Sequence, residues 1–248
     1  MKRIVSLIFV LAAFLAVCSC ATETNSVPRA IREYLDSYDW RLDMFRKSDV
    51  SDLSGFRSHE RWYEVDGRLA DVWSVYTHIR PDEQWKGPIA RFGALYDPET
   101  SEFITKGSDH IPNVEEGQIL FLDLLIESFL HVPTSFQISR IDENRKIIEF
   151  TYLEQNTSHG CQELSFYPAA DGKSTLIRHR SWFRSDSPVR DALFYRSYHT
   201  QTVDEFHWSV AKRSGLDIDA MSPREIKRKG LLPSEQPLQS DLTAVSFD

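Results

Sequence analysis

Five strand-length segments follow one another between residues 118 and 183, and one long helical segment comes after them. This order constrains the fold more than any other feature of the chain. The segments are residues 118–126, 135–141, 146–153, 161–167 and 174–183, each rich in β-branched, aromatic or leucine side chains and bounded by turn residues. Asp142-Glu143-Asn144 and Asp171-Gly172 are hairpin-type breaks. The loop over 155–160 is longer and polar. Short connections between successive strands predict an antiparallel meander, since a parallel return needs a long crossover.

Helical periodicity then takes over across 188–214, with Ser187 as N-cap before Pro188 and Gly215 as the stop. At 1.5 Å per residue this helix is expected to be roughly 40 Å long, enough to cross a whole sheet. Val189, Leu193, Phe206 and Val210 recur at multiples of about one turn and are expected to face the strands. Before the meander, residues 59–65 read as a strand ending at Asp66-Gly67. Residues 68–79 read as a helix with Leu69, Val72, Trp73 and Tyr76 on one face. Pro81, Pro88, Pro98 and Pro112 break the stretch 80–116 into loops with short strands near 90–96 and 102–105.

The two ends carry further signals. Ile31, Tyr34, Leu35, Tyr38, Leu42 and Phe45 keep the helical period over 28–47, predicting an accessory helix on the outside of the main domain; a loop follows over 49–55. Beyond Gly215, Ser222-Pro223-Arg224-Glu225 is a capping-box sequence for a short helix ending at Gly230, and the polar tail is expected to be mobile. At the front, Met1-Lys2-Arg3 is a basic head and residues 4–17 form an almost unbroken apolar run, as in a secretory signal. Val17-Cys18-Ser19-Cys20 resembles the lipobox of bacterial lipoproteins, which makes Cys20 the expected lipidation site. Ser19-Cys20-Ala21 also reads as an ordinary cleavage site after Ala21.

Charge and cysteine usage narrow the partners. The chain has 29 basic and 37 acidic side chains, and losing Lys2 and Arg3 with the leader makes it more acidic still. An acidic exported chain is a poor match for nucleic acid, whose phosphates need clustered cations. If Cys20 is acylated, Cys161 is the one thiol left in the mature chain, so no internal disulfide is expected; Cys161 reads as a small buried filler rather than a nucleophile.

The order strand, helix, irregular segment, five-strand meander and long C-terminal helix resembles the START-like (Bet v 1-like, SRPBCC) superfamily. Tyr63-Glu64-Val65-Asp66-Gly67 running into Asp71-Val72-Trp73 is similar to its first strand and helix. Glu116-Gly117-Gln118-Ile119-Leu120 is similar to the entry to a mid-sheet strand, the stretch from Ile141 to Phe150 to its paired-strand turn, and the stretch from Ala170 to Ile177 to the turn into its last strand. The resemblance spans residues 58–215 of the chain and implies an α+β, helix-grip fold: a curved antiparallel sheet wrapped around a long C-terminal helix. The chain then divides into a signal peptide over 1–19, a lipidated N-terminus with accessory helix and linker over 20–57, the START-like domain over 58–215, and a short helix and tail over 216–248.

The resemblance further implies a cavity between sheet and helix that holds a hydrophobic small molecule or lipid, with the membrane as a second partner through the anchor. Alternation places Ile148, Phe150 and Tyr152, then Leu164 and Phe166, then Ile177, His179 and Phe183 on inward faces. These are the expected ligand-binding residues, with His179 as a polar handle; plain packed core is the alternative for the same set. Arg178 and Arg180 are expected outside, near Glu163. Asp123 and Glu127 are expected to decorate an outer face, although either carboxylate has the chemistry of a general base. His199 and His207 lie eight apart on the long helix, close enough in phase to share a side, without the spacing or third ligand of a metal site. No phosphate loop, nucleophile elbow, His-Glu-x-x-His or Cys-x-x-Cys motif is present, and no cofactor or metal is expected. Two other functions stay open on the same fold: a cyclase- or hydrolase-like enzyme, and an envelope interaction module with a filled core. The oligomeric state is left open.

Overall fold

The computed structural model describes residues 27–37, 45–126, 129–185, 187 and 196–231. The leader with Cys20, together with Tyr38, Leu42, Glu127, Val189, Leu193 and the polar tail, lies outside the described residues. In chain order the elements are α1 (Arg29–Asp36), β1 (Arg57–Asp66), α2 (Leu69–His78), α3 (Pro81–Gln84), β2 (Ala90–Asp97) and β3 (Glu102–Thr105). The meander follows as β4 (Ile119–Ile126), β5 (Leu130–Asp142), β6 (Ile147–Tyr152), β7 (Ser158–Pro168) and β8 (Ser174–Ser185). The chain continues through α4 (Arg196–Ser214), β9 (Ile218–Met221) and α5 (Pro223–Lys229).

All nine strands join one sheet in the order β3-β2-β4-β5-β6-β7-β8-β1-β9, and every pairing is antiparallel. Helix α4 touches both β2 and β1, six positions apart in that order. Strands spaced about 4.8 Å apart would put these two about 29 Å from each other in a flat sheet, against a helix diameter of about 10 Å. The sheet is therefore curved around α4. This is the expected α+β helix-grip architecture, with all five meander strands in their expected places.

The concave face carries the main core. Leu120, Leu122, Phe136, Ile138, Ile148, Phe150, Leu164, Phe166 and Ile177 pack there against Val72, Trp73 and Tyr76 of α2 and Val203, Phe206 and Val210 of α4. The buried residues of α4 are His199, Val203, Phe206, His207, Val210 and Ala211, one stripe at helical spacing. Phe206 and Val210 thus face the sheet as expected. Burying each large apolar side chain contributes about 1.5–3 kcal/mol, so this stripe holds the helix on the strands.

The convex face is covered at two places. Ile31 and Tyr34 of α1 pack on Ala94, Tyr96, Ile119, Phe121 and Leu153, which puts the accessory helix outside the sheet. Near the other edge, Met221 and Ile226 cover Trp62, Leu176 and Ala169. The capping box of α5 is formed: the Ser222 side chain accepts from the Glu225 N–H, the Glu225 carboxylate accepts from the Ser222 N–H at 2.7 Å, and Gly230 ends the helix in the left-handed region at φ 63°.

Two expectations need correction. The stretch after Gly215 contains β9, which pairs with β1 from Trp62–Met221 to Val65–Ile218; its four residues are too few for alternation to stand out. The first helix does not continue to residue 47: Phe45 stacks on Tyr96 at 4.4 Å and Lys47 bridges to Leu153 of the sheet. Phe45 fits a helical period and equally fits a residue laid on the convex face, and packing on Tyr96 decided between them.

Candidate functional site

Between the sheet and the first half of α4 lies a cavity of about 440 Å³. One wall is Leu122, Leu124 and Ile126 of β4 with Leu130, Val132 and Phe136 of β5. Tyr198, His199, Thr202 and Val203 of α4 form the opposite wall, and Trp85 and Ile89 close one side. Alternation produces the β4 wall: even-numbered residues face inward while Ile119 and Phe121 pack outside. The space survives here because the other part of the groove is plugged. Trp73 and Tyr76 meet Phe166 edge-on at 5.2 and 5.0 Å, and Trp85 stacks on Phe206 at 4.6 Å.

Polar groups gather at the boundary between plug and cavity. The Tyr76 hydroxyl lies 2.8 Å from His207 Nδ1, His207 Nε2 lies 3.0 Å from His179 Nδ1, and His179 Nε2 lies 2.6 Å from Gln162 Oε1. The Gln162 amide in turn donates to the Tyr152 hydroxyl. Gln162 and Tyr152 are on the cavity wall, so a hydrogen-bonded chain runs from buried Tyr76 to the cavity. A second set joins Ser181 Oγ to His199 Nε2 at 3.1 Å, His199 Nδ1 to His59 Nδ1 at 3.2 Å, and His59 Nε2 to Thr200 Oγ1 at 3.1 Å.

The histidines are neutral. Burial pushes His179 and His207 well below the ordinary imidazole value, with His207 acting further on His179 and Arg61 on His207. Burial does the same to His199, helped by His179 and His59. His59 falls to about 4, chiefly through burial and then through Arg196 and Arg61. The four rings form two hydrogen-bonded pairs that meet edge-on through His179 and His199, 6.1 Å apart, and among the described residues no group of three or more His, Cys, Asp or Glu is placed to hold a metal. Beside His207, Arg61 makes 2.8 Å contacts to both carboxylate oxygens of Asp204, and the Tyr63 hydroxyl donates to Asp204 at 2.6 Å.

Of the expected ligand-binding residues, Tyr152 lines the cavity. Ile148, Phe150, Leu164, Phe166 and Ile177 are on the concave face as alternation requires, but the structure places them in packed core. Phe183 is buried near the end of β8 and is not on the described wall. His179 points between sheet and helix and is 2% exposed, but it stands one residue behind the wall, with Gln162 in front of it. This placement has one physical cause: α2 fills the part of the groove over β7 and β8, which no periodicity in those strands reveals.

The residues that line the cavity instead had partial signals. Leu122, Leu124 and Ile126 share a strand face by parity alone. Gln162 has the parity of Leu164 and Phe166, and a polar residue on an aromatic face is a sign of a hydrogen-bonded interior group. Outside, Arg178 pairs with Glu163 at 3.1 Å and Arg180 with Glu60 at 3.2 Å, as cross-strand pairs sheltered by Tyr167 and Trp182. Asp123 faces outward, as expected, but it is 1% exposed and bonded to His131 Nδ1 at 2.8 Å. Burial, with Glu149 and Glu163 nearby, pushes the Cys161 thiol up to about 12, so it is not a thiolate at neutral pH.

No family model and no curated protein matches this chain. Solved structures do match it. Norcoclaurine synthase from Thalictrum flavum, in complex with dopamine and hydroxybenzaldehyde, is 12% identical with a TM-score of 0.46, over 67% of this chain and 91% of that one. Ginseng major latex-like protein from Panax ginseng gives 9% and 0.45, over 62% and 95%. A START superfamily protein from Mycobacterium smegmatis gives 15% and 0.43, over 63% and 95%.

Proposed function

We propose that this protein binds a hydrophobic small molecule, without covalent chemistry, in the cavity between β4–β7 and α4. The observation that carries this reading is the cavity of about 440 Å³ walled by Leu122, Leu124, Ile126, Val132, Phe136 and Val203. Protein interiors leave few voids larger than a water molecule, and ligand pockets run from about 300 to 1,000 Å³ with mostly apolar walls. Binding is favoured over catalysis by the state of the polar wall. His199 has both ring nitrogens engaged and is held neutral by burial, and no carboxylate is among the described residues of the wall. A general base poised near neutral pH is what a hydrolase or cyclase would need there.

The leader adds where this takes place. With Cys20 acylated after export, the domain works at a membrane surface, tethered by the short stretch before α1. Cys20→Ala is expected to leave the protein soluble or unprocessed; a free N-terminus at Thr22 would show simple secretion instead.

Native mass spectrometry of freshly purified and delipidated protein tests the ligand. A co-purifying apolar molecule is expected, removable by delipidation and absent from Val203→Trp, which fills the cavity from the helix side. A protein that carries nothing and whose melting temperature Val203→Trp raises without affecting uptake of any apolar probe would show that the space is only a packing defect.

A further inference from the structure

The turn between β4 and β5 is apolar where a strand in water should not be. Leu124, Leu125 and Ile126 end β4, Phe129 and Leu130 lead into β5, and Val132 follows; all six are at least partly exposed. Phe129 is 77% exposed and Leu130 50%, and the Phe129 N–H donates to the Ile126 carbonyl at 3.2 Å. An antiparallel strand with one solvated face alternates apolar with polar residues. Here Leu124 and Ile126 face the cavity, and Leu125, which has the parity of outward Asp123, is apolar on the other face as well. One exposed apolar side chain needs no explanation, whereas a contiguous group of them does.

Cations stand beside this tip. Ala90 pairs with Leu124 and Arg91 with Asp123, so Arg91 lies one strand across and about 10 Å back from Ile126. Lys86 bridges to Arg91, and the Lys106 N–H donates to the Gly93 carbonyl on the same strand at 2.9 Å. Burial, then Arg91 and Lys86, push the Lys106 amine below its ordinary value, while Asp82 and Asp123 act the other way. The acids of this region are engaged elsewhere: Asp123 with His131 at 2.8 Å, Asp82 with Arg80 at 3.0 Å, and Glu205 with the N–H groups of Ile89 and Ala90. Lys86, Arg91 and Lys106 make no ion pair among the described residues, and Arg91 Nε is buried without a hydrogen-bond partner. Glu127 is the acid of the turn itself in the sequence, one charge against three.

We infer that this end of the sheet docks on an anionic lipid surface, with Phe129 and Leu130 entering the apolar layer and Lys86, Arg91 and Lys106 meeting headgroup phosphates. Apolar side chains with cations about 10 Å behind them match the order of layers at a bilayer surface. Continuity with the cavity favours lipid over a protein partner: Ile126 and Leu130 belong to both the tip and the cavity wall, so the apolar lining reaches the surface at the tip. This contact is separate from the one proposed through Cys20, and it goes beyond the ligand-binding reading, on which it does not rest.

The test uses the full chain with Cys20→Ala, so that no acyl anchor contributes, and co-sedimentation with phosphatidylcholine vesicles with and without phosphatidylglycerol. Binding to the anionic vesicles is expected, weakening as salt rises. Phe129→Ser should weaken it about tenfold, the scale of one apolar side chain returned to water, and leave the fold intact because Phe129 is already exposed. Lys86→Gln with Lys106→Gln should weaken binding to the anionic vesicles by about fivefold per cation and leave phosphatidylcholine binding unchanged. Equal binding by the parent chain and Phe129→Ser would assign the lipid affinity to the apolar leader and overturn the inference. Equal binding to both vesicle compositions would overturn it too, since the cations would then contact no headgroup. Absence from all vesicles, with an oligomeric state that Phe129→Ser alters, would make the tip a protein interface instead.

Discussion

His179 on β8 and His207 on α4 share a single hydrogen bond, Nδ1 to Nε2 at 3.0 Å, with both rings withdrawn from solvent. The contact joins the sheet to the helix it grips, and it needs one of the two facing nitrogens to be bare, so the two rings cannot both be protonated while it lasts.

Stability is therefore expected to fall on acidification. The folded-state values of His179, His199 and His207 lie well below the ordinary 6.5, and that of His59 lies at about 4. Above pH 6.5 neither folded nor unfolded chain binds these protons, and no effect appears. Below it the unfolded chain takes them up first, so stability falls as pH drops, by up to roughly 1.4 kcal/mol per pH unit for each histidine. For His59 the loss levels off near pH 4; Arg61 and Arg196 lower its value while Asp204 and Glu60 raise it. Urea melts from pH 7.5 to 5 measure this, and a flat profile would refute neutral buried rings.

Asp204 is expected to be the costliest single polar residue of α4. Its carboxylate takes Arg61 and the Tyr63 hydroxyl together, with side-chain exposures of 24% for Arg61 and 13% for Asp204. Asp204→Ala strands both partners and should cost about 2–4 kcal/mol, whereas Tyr63→Phe removes one neutral donor and should cost about 1 kcal/mol. Chemical denaturation of the two single variants and the double variant should show strong non-additivity.

Gly93 should tolerate no side chain while α1 is in place. A Cβ there would stand 2.7 Å from Cγ1 of Ile31, at the bulge where β2 shifts register against β4. Gly93→Ala is expected to cost about 1–3 kcal/mol by overpacking. Adding Ile31→Ala should recover part of that loss, which a double-mutant cycle reads directly; purely additive losses would mean that the helix does not seat on Gly93.

Glu205 should hold the edge of the cavity in place. Its carboxylate accepts from the N–H groups of Ile89 at 3.0 Å and Ala90 at 2.7 Å, tying α4 to the start of β2 beside the wall residue Ile89. Glu205→Ala is expected to cost about 1–3 kcal/mol and to speed hydrogen exchange at those two amides. Unchanged protection there would show that the strand keeps its position without the carboxylate.

Much of the fold was legible in the residues themselves. Alternation over β4, β6, β7 and β8 and the Phe206–Val210 spacing are local properties, written within a few residues of each other, and they set the inward faces and the gripping side of the helix, while short connections set the order of the meander. The Ser222–Glu225 box is more local still. Tertiary structure decided what depends on distant segments meeting. The void exists where it does because Trp73, Tyr76 and Trp85 fill the groove over Phe166 and Phe206 and leave Leu122, Leu124 and Val132 uncovered. The neutral chain exists because Tyr76 and His207, 131 residues apart, arrive within 2.8 Å. A strand's period tells which way a side chain points; whether it meets another side chain or empty space depends on volumes and partners supplied from elsewhere in the chain.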